Sequence, residues 1–203
     1  MLAARRGIVF GTHLQSDAVR GIVLTVMRSR PLVSRFVGQQ EMKSLLILRH
    51  AEAVALSGAV DDYSRPLSTA GQEQAIELGK HLHRLGVTSD AIACSTALRA
   101  RQTAELIVKA AQWTAETNAY DAFYNASIDD LLTHVKSRAE DIEQLCIVAH
   151  APGVPELVSF LVTDEGDLNL VYAAGTLAEI LLDVDQWSEV RGACGALRSL
   201  RGP

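Results

Sequence analysis

Residues 44–53 read SLLILRHAEA, a short apolar run that ends in an arginine and a histidine. The run at 44–49 predicts a strand that is buried on both faces, because the sequence of such a strand is an uninterrupted run of apolar residues. A second run of the same kind, QLCIVAH at 144–150, also ends in a histidine. In open α/β sheets, ligands bind outside the carboxyl ends of the strands. We therefore expect His50 and His150 to face one crevice.

Apolar residues elsewhere in the chain alternate between strand-like and helix-like spacing. The predicted strands are 44–49, 90–95, 144–150 and 176–182, with one more around Leu197, and the predicted helices are 69–86, 97–111, 127–138 and 155–162. The first helix is expected to open with a capping box at Thr69 and Gln72 and to bury Leu85, and His134 is expected on the surface of the third. This alternation predicts an α/β three-layer sandwich, with a mostly parallel central sheet and helices on both faces.

The composition is that of a globular protein. The chain has 203 residues, of which 48% are apolar and 21% charged, so wholesale disorder is excluded and one domain with an appendage fits the length. The longest apolar runs are far shorter than the roughly 20 residues that cross a bilayer, so we expect no membrane-spanning helix. Cys94, Cys146 and Cys194 are too few and too scattered for a disulfide framework or a zinc knuckle, which favours a reducing cytoplasm.

Charge divides the chain near residue 40. Residues 1–40 hold six arginines and one aspartate, a net charge of +5, whereas residues 41–203 hold 13 basic and 23 acidic residues, a net charge of −10. We interpret residues 1–42 as a basic N-terminal extension, unstructured or not native to the domain at 43–203, because Met42 resembles a start directly before a strand. An organellar presequence and a structured element stay open as alternatives. The acidic main domain argues against nucleic acid as a partner.

The predicted crevice collects arginines as well as histidines. Arg49 directly precedes His50, and Arg99 follows the strand at 90–95. Two histidines and two arginines without a nearby cysteine or carboxylate cluster make a poor metal site, so we expect neither a metal nor a cofactor. They suit a phosphoryl group, because guanidinium forks bind phosphate oxygens in a bidentate way and a neutral imidazole is a competent nucleophile.

Four motifs carry a resemblance to a known family. In chain order they are LRHAEA, DDYSRPLSTAG, STALRARQTA and VAHAPGV. Together they resemble the histidine phosphatase superfamily, which has the phosphoglycerate-mutase-like fold, and most closely its short SixA-type phosphohistidine phosphatase branch. The resemblance covers residues 43–203. It implies that His50 is the phosphoacceptor, that Arg49 and Arg99 bind the phosphate, and that His150 is the second histidine of the site.

The reaction that the resemblance implies has two steps. His50 attacks phosphorus in line and becomes phosphohistidine, and water then removes the phosphoryl group. Arg49, Arg99 and, if protonated, His150 would offset the charge on the equatorial oxygens.

Three positions depart from the family pattern. Ala149 and Ala151 stand where the family commonly has Gly and Asn, and Thr96 stands where it commonly has Pro. These changes affect loop geometry and leave the charged groups in place, so they bear on rate and substrate more than on activity.

Asp121 and Arg65 are additional candidate residues. Asp121 lies where related enzymes place an acidic residue in a loop before a helix, and a carboxylic acid with a raised pKa could protonate the leaving group there. A plain turn aspartate is the alternative interpretation. Arg65 could steer the substrate, or it could form a loop salt bridge with Asp61 or Asp62.

The predicted function is removal of phosphoryl groups from phosphohistidine in a phosphorylated protein, by a monomer in the cytoplasm, or in an organelle if the N-terminal segment is a presequence. The alternatives are a phosphatase of small phosphate esters, a phosphoglycerate-mutase-like isomerase and a non-catalytic phosphoprotein-binding module. Mutases of the superfamily usually insert a long lid between the second arginine and the second histidine, whereas here only 51 positions separate Arg99 from His150. The nucleophile His50 argues against a binding module, because binding alone needs no nucleophile.

Overall fold

A computed structural model describes residues 42–56, 61–164, 168 and 170–203. Residues 1–41, almost all of the predicted N-terminal extension, lie outside the described residues. The elements, in chain order, are β1 (Ser44–Arg49), α1 (Thr69–Leu85), β2 (Ala91–Ser95), α2 (Leu98–Ala111), β3 (Thr117–Tyr120), a 3₁₀ turn (Asp121–Phe123), α3 (Ile128–Lys136), β4 (Gln144–Ala149), α4 (Gly153–Val162), β5 (Leu177–Leu182), a second 3₁₀ turn (Trp187–Glu189) and β6 (Gly195–Arg201). Within the described part of the chain, no helix is long and apolar enough to cross a membrane.

The six strands form one sheet in the order β3-β2-β4-β1-β5-β6. The first four strands in this order are parallel to one another, and β5 and β6 are antiparallel to their neighbours. This confirms the predicted α/β fold with a mostly parallel sheet. In the β1–β4 pair Arg49 lies opposite Ala149, so the next residues, His50 and His150, leave the sheet at the same level.

Helices cover both faces of the sheet. In β1, Leu45 and Ile47 pack on one face with residues of α3 and α4, whereas Leu46 and Leu48 pack on the other face with residues of α1 and α2. These four side chains are at most 1% exposed, which confirms the prediction of a strand buried on both faces. The backbone that leads into His50 is therefore held on both sides by the core.

Several expectations about elements were wrong in detail. The N-cap of α1 is Ser68, whose hydroxyl accepts a hydrogen bond from the backbone N–H of Gly71, and not Thr69. Leu85 lies at the end of this helix and is 60% exposed. His134, expected on a helix surface, is half-buried between the rings of two aromatic residues, Tyr120 and Phe123.

Strand β3 was not predicted from the sequence. Its four residues, TNAY, are largely polar and half or fully exposed. The strand lies at the edge of the sheet and pairs with β2. Backbone hydrogen bonds to one neighbour are enough to form such an edge strand, so it leaves little hydrophobic pattern in the sequence.

The loop after β1 is tied closely to the start of α1. The carbonyl oxygen of Glu52 accepts from the backbone N–H of Ser68 at 3.0 Å, and the Ser68 hydroxyl donates to the Glu52 carboxylate at 2.7 Å. A Cβ on Gly71 would lie 1.9 Å from the same carbonyl oxygen. The first turn of α1 can therefore approach the loop this closely only because residue 71 is glycine. The backbone beyond His50 therefore has a fixed path.

Candidate active site

His50 is held by its backbone at the end of β1. Its N–H donates to the carbonyl of Ala149 at 3.0 Å, and its own carbonyl accepts from the N–H of Gly175 at 2.9 Å. The ring Nδ1 lies 2.8 Å from the carbonyl oxygen of Ala51. Because a carbonyl oxygen can only accept, Nδ1 carries the proton and Nε2 carries the lone pair. His50 is thus a neutral imidazole in the tautomer that leaves Nε2 without a proton.

Arg99 brings its guanidinium to both histidines from the first turn of α2. Its Nε–H donates to Nε2 of His50 at 3.2 Å, and its Nη2 lies 3.3 Å from Nδ1 of His150. Nε and this N–H of Nη2 lie on one edge of the planar guanidinium, which is the edge that can bind two oxygens of a phosphoryl group side by side. Arg99 is only 4% exposed, so this edge has a defined direction.

The other edge of the same guanidinium is bound by Asp62. Nη1 of Arg99 donates to the backbone carbonyl of Asp62 at 2.6 Å, and Nη2 donates to its Oδ2 at 2.9 Å. Oδ2 also accepts from the hydroxyl of Tyr124 at 3.1 Å, and Oδ1 pairs with Arg65 at 2.8 Å. The sequence predicted Asp62 only as a partner of Arg65. The pair of acids Asp61 and Asp62, separated from the SRPL stretch by one residue, was the one signal for its place in the site.

His150 is oriented by Ser95 at the end of β2. Its Nε2 lies 2.9 Å from the hydroxyl oxygen of Ser95, and its ring centroid is 5.0 Å from that of His50. Since Nδ1 of His150 accepts from Arg99, Nε2 carries the proton and donates to Ser95. The ring of Tyr124 contacts His150 edge-on, at 5.8 Å between centroids.

Burial and positive charge keep both imidazoles neutral. Burial, followed by the charges of Arg99 and Arg49, lowers the pKa of His50 to about 4. Burial, followed by the neighbouring His50 and the charge of Arg99, lowers the pKa of His150 to about 3, although the Asp62 carboxylate opposes this shift. In the free protein at neutral pH, positive charge in the crevice therefore comes from the arginines, and His150 acts as a hydrogen-bonding group.

The Asp62 carboxyl is ionised. Burial would raise its pKa, but the guanidinium of Arg99 and the hydrogen bonds from Tyr124 and Arg99 outweigh this and hold the pKa below its ordinary value. A carboxyl with a lowered pKa is a poor proton donor near neutral pH.

Arg49 has an N–H group available for a ligand. Its Nη1 donates to the backbone carbonyl of Tyr172 at 2.8 Å, while its Nε is buried and has no hydrogen-bond partner among the described residues. A buried N–H of a cation without an acceptor is costly, because it has lost water and gained no partner. An anion that reaches this N–H would satisfy it.

The other two predicted candidates lie at different distances from this cluster. Arg65 forms the loop salt bridge with Asp62 that was one of its two interpretations, and through Asp62 it adjoins Arg99. Asp121 begins the 3₁₀ turn after β3, its side chain is exposed, and its backbone carbonyl accepts from the N–H of Tyr124. No contact joins its carboxylate to either histidine of the site in the described structure, so its role as an acid stays a prediction.

The described residues contain no group of three or more histidine, cysteine, aspartate or glutamate side chains that could hold a metal ion. The two cysteines of the sheet, Cys94 and Cys146, are buried, and burial raises the pKa of the Cys94 thiol to about 11. They pack in the core on the α1–α2 side of the sheet.

A mostly parallel sheet with two neutral imidazoles and two guanidiniums gathered beside the ends of β1, β2 and β4 is an arrangement that suits phosphoryl transfer. The sequence profile of the histidine phosphatase superfamily, branch 1, matches residues 45–151, and the chain belongs to this superfamily. Within it the fold is of the SixA type. A solved structure of a protein proposed to be the phosphohistidine phosphatase SixA of Nakamurella multipartitia has a TM-score of 0.68 at 28% identity, with 79% of this chain and 96% of that chain covered.

Two curated relatives extend the comparison. The uncharacterized protein Rv1276c of Mycobacterium tuberculosis (strain ATCC 25618 / H37Rv) is 27% identical over 164 residues, which cover 77% of this chain and 99% of that protein. The mitochondrial serine/threonine-protein phosphatase Pgam5 of Drosophila grimshawi is 35% identical over 69 residues, which cover 34% of this chain but only 23% of that protein. The superfamily and its phosphatase members together support a phosphatase.

Proposed function

We propose that this protein is a phosphohistidine phosphatase that removes phosphoryl groups from a phosphorylated protein through a phosphohistidine intermediate on His50. The observation that carries the proposal is the lone pair on Nε2 of His50, which is kept unprotonated and lies beside the side-on edge of Arg99. A nucleophile next to a bidentate phosphate-binding edge is what phosphoryl transfer to an imidazole requires.

In the first step, Nε2 of His50 attacks phosphorus and the N–P bond forms. The bond from phosphorus to the substrate imidazole breaks, and this imidazole takes the electron pair and leaves as a neutral ring with a proton on its other nitrogen. The two N–H groups of Arg99 that donate to the histidines in the free protein donate to phosphoryl oxygens instead. The Nε–H of Arg49, which has no partner among the described residues, provides a further donor. Positive charge develops on the His50 ring as the bond forms. The carbonyl of Ala51, 2.8 Å from Nδ1, stabilises it.

In the second step, water attacks the phosphoryl group on the side opposite His50. The P–Nε2 bond breaks, inorganic phosphate leaves, and His50 returns to the neutral tautomer that its hydrogen bond to Ala51 favours. Arg99 and Arg49 bind the same oxygens in both steps, so one set of donors stabilises both transition states.

The acid–base character of the site favours a phosphoramidate substrate. Asp62, the carboxylate in contact with Arg99, is ionised and bound to two guanidiniums, which makes it unsuited to protonating an alkoxide. An imidazole leaving group protonates readily, so it needs this help less than an alcohol does.

The path of the chain between Arg99 and His150 favours a protein substrate. All of residues 99–150 are described, and they form α2, β3, a 3₁₀ turn, α3 and β4, with short connections and no lid insertion. A crevice without an inserted lid between Arg99 and His150 would suit a phosphorylated side chain that projects from another protein. It also provides little binding energy for a small metabolite, which would then have a high KM.

The test compares the wild type with His50→Ala on a phosphohistidine-containing protein and on p-nitrophenyl phosphate. We expect His50→Ala to abolish turnover on both, and rapid acid-free quenching of the wild type to trap an acid-labile phosphoenzyme. His83→Ala is a matched control, because His83 is an exposed residue of α1. Full activity of His50→Ala, or a phosphoryl group trapped on His150, would contradict the mechanism, and a low-micromolar KM for a sugar phosphate would contradict the protein substrate.

A further inference from the structure

We propose that Asp62 is a positioning residue that holds Arg99 by one edge of its guanidinium, so that the opposite edge is directed at the phosphoryl group. The inference rests on the proposed function of the site, and it assigns to Asp62 a role in orienting phosphate recognition. Tyr124 completes the arrangement by fixing the carboxylate of Asp62.

The geometry of Arg99 carries the inference. A guanidinium has five N–H donors in one plane, and four of them have acceptors here. Two point to His50 and His150 at 3.2 and 3.3 Å, and two point to the carbonyl and carboxylate oxygens of Asp62 at 2.6 and 2.9 Å. Two contacts from one residue to one edge prevent the guanidinium from rotating in its plane. The flexible side chain of Arg99 is thereby restricted to one orientation of its guanidinium.

Both carboxylate oxygens of Asp62 are themselves restrained. Oδ1 is bound by Arg65 at 2.8 Å, and Oδ2 is shared between Arg99 and the hydroxyl of Tyr124. These partners come from three separate parts of the chain: the loop before α1, the first turn of α2 and the segment before α3. Asp62 therefore connects three segments around the guanidinium, which a plain loop ion pair would not do.

The charge of Asp62 has a second consequence. Its carboxylate lies between two guanidiniums, and it reduces the net positive charge that they present without occupying the edge of Arg99 next to His50. A phosphoryl group can thus replace the two imidazoles as the acceptor at this edge while Asp62 stays in place. No displacement of the loop is needed for binding.

Neighbouring residues provide a well-matched set of variants. Asp62→Ala removes the carboxylate contacts, Asp62→Asn keeps an oxygen that can accept from Arg99, and Tyr124→Phe removes one restraint on Oδ2. Asp61→Ala is the control, because Asp61 is the adjacent acid and its Oδ1 accepts from the backbone N–H of Ser64. Urea unfolding of each variant would verify that it folds.

The experiment measures single-turnover phosphorylation of His50 and steady-state kcat and KM on p-nitrophenyl phosphate and phenyl phosphate. We expect Asp62→Ala to lower kcat by about 100-fold with a smaller change in KM, since a misplacement of about 1 Å costs this much. Asp62→Asn should recover part of the loss, Tyr124→Phe should lose less than Asp62→Ala, and Asp61→Ala should match the wild type.

A double-mutant cycle tests whether Asp62 acts through Arg99. If it does, Asp62→Ala should add little to the loss caused by Arg99→Ala, because the group that it positions is gone. Fully additive losses would overturn the inference. So would a loss that is much larger for phenyl phosphate than for p-nitrophenyl phosphate, because that dependence on the leaving group is the signature of an acid. If the wild type forms phospho-His50 and Asp62→Ala forms it at the same rate, the positioning role fails while the proposed function stands.

Discussion

The Nε of Arg99 lies 3.2 Å from the Nε2 of His50, so a guanidinium N–H donates a hydrogen bond to the lone pair of the proposed nucleophile. Incoming phosphoryl oxygens are better acceptors for this N–H than a neutral imidazole, because they carry negative charge. Binding of the substrate would therefore both fix the phosphoryl group and free Nε2 for attack. One side chain would couple recognition to the activation of the nucleophile.

Replacing Arg99 with lysine should remove this coupling. Lysine is a point charge on a flexible stem and cannot donate side by side to two oxygens. We expect Arg99→Lys to lower kcat/KM on p-nitrophenyl phosphate by about 10²–10³-fold, the usual loss for one preorganised donor to a developing anion. Arg101→Lys, an exposed arginine of the same helix, is the control and should keep its activity. Equal activities of the two variants would show that catalysis does not depend on side-by-side donation from the Arg99 guanidinium to two phosphoryl oxygens.

Asp121→Asn should separate the two kinds of substrate. Its exposed carboxyl could serve an alcohol leaving group, for which general-acid catalysis is typically worth about 10²–10⁴-fold. A phosphohistidine protein should be hydrolysed almost as fast by the variant as by the wild type, whereas simple alkyl phosphates should be hydrolysed more slowly. The measurement is kcat/KM for both substrates. Equal large losses would instead make Asp121 a structural residue or part of the phosphate site.

Stability should fall as the pH drops below about 6.5. His50, His134 and His150 have folded-state pKa values near 4, 4 and 3, in each case mainly because burial disfavours the charged ring. Between the ordinary value of about 6.5 and these pKa values, the unfolded chain binds protons that the folded chain does not, so acid favours unfolding. Above this window the stabilisation by the neutral rings is fully present.

His134→Gln should make this loss less steep. His134 packs between Tyr120 and Phe123 outside the catalytic cluster, so the variant removes one titrating group without touching the site. The slope of unfolding free energy against pH should decrease by at most about 1.4 kcal/mol per pH unit. Urea unfolding at a series of pH values measures it. A slope identical to that of the wild type would mean that His134 titrates alike in both states.

Gly71→Ala should destabilise the domain. The added Cβ would lie 1.9 Å from the carbonyl oxygen of Glu52, and this neighbour is backbone that cannot rotate away. We expect a loss of about 1–3 kcal/mol or more in unfolding free energy, as for other overpacked sites, together with lower activity because the loop after His50 must move. Gly202→Ala is the control, since its nearest neighbour would be 3.8 Å away. A neutral result at Gly71 would contradict the close approach of α1 to this loop.

A chain that begins at Met42 should fold and turn over like the full chain. The charge of residues 1–40 differs sharply from that of the rest, and β1 begins at Ser44 in the core of the sheet. Activity and urea unfolding of both chains provide the comparison. A loss of several kcal/mol, large beside a total of roughly 5–15, would mean that the N-terminal segment packs on the domain.

Much of the fold could be read from local pattern, because burial of a strand or a helix face requires apolar residues at a fixed spacing. Strand β1 was predicted to the residue, and β2, β4, β5 and the four helices were predicted within about two residues at each end. Strand β3 was missed because an edge strand depends on backbone hydrogen bonds, which any residue can make. His134 was misplaced because its polarity suggested solvent, whereas two aromatic rings from β3 and the adjoining turn cover it.

By itself, the sequence determined the α/β fold, the presence of Arg49, His50 and His150 at strand ends, and that of Arg99 at the start of the helix after β2. These are local features, and parallel strands bring them to one edge. Only the tertiary structure decided how these groups are oriented and charged. The partners that do this, among them Asp62 for Arg99 and Ser95 for His150, lie 37 and 55 positions away along the chain. Their contacts depend on how loops cross the packed sheet, and the lowered pKa values depend on how much water that packing excludes, neither of which is encoded in the spacing of neighbouring residues.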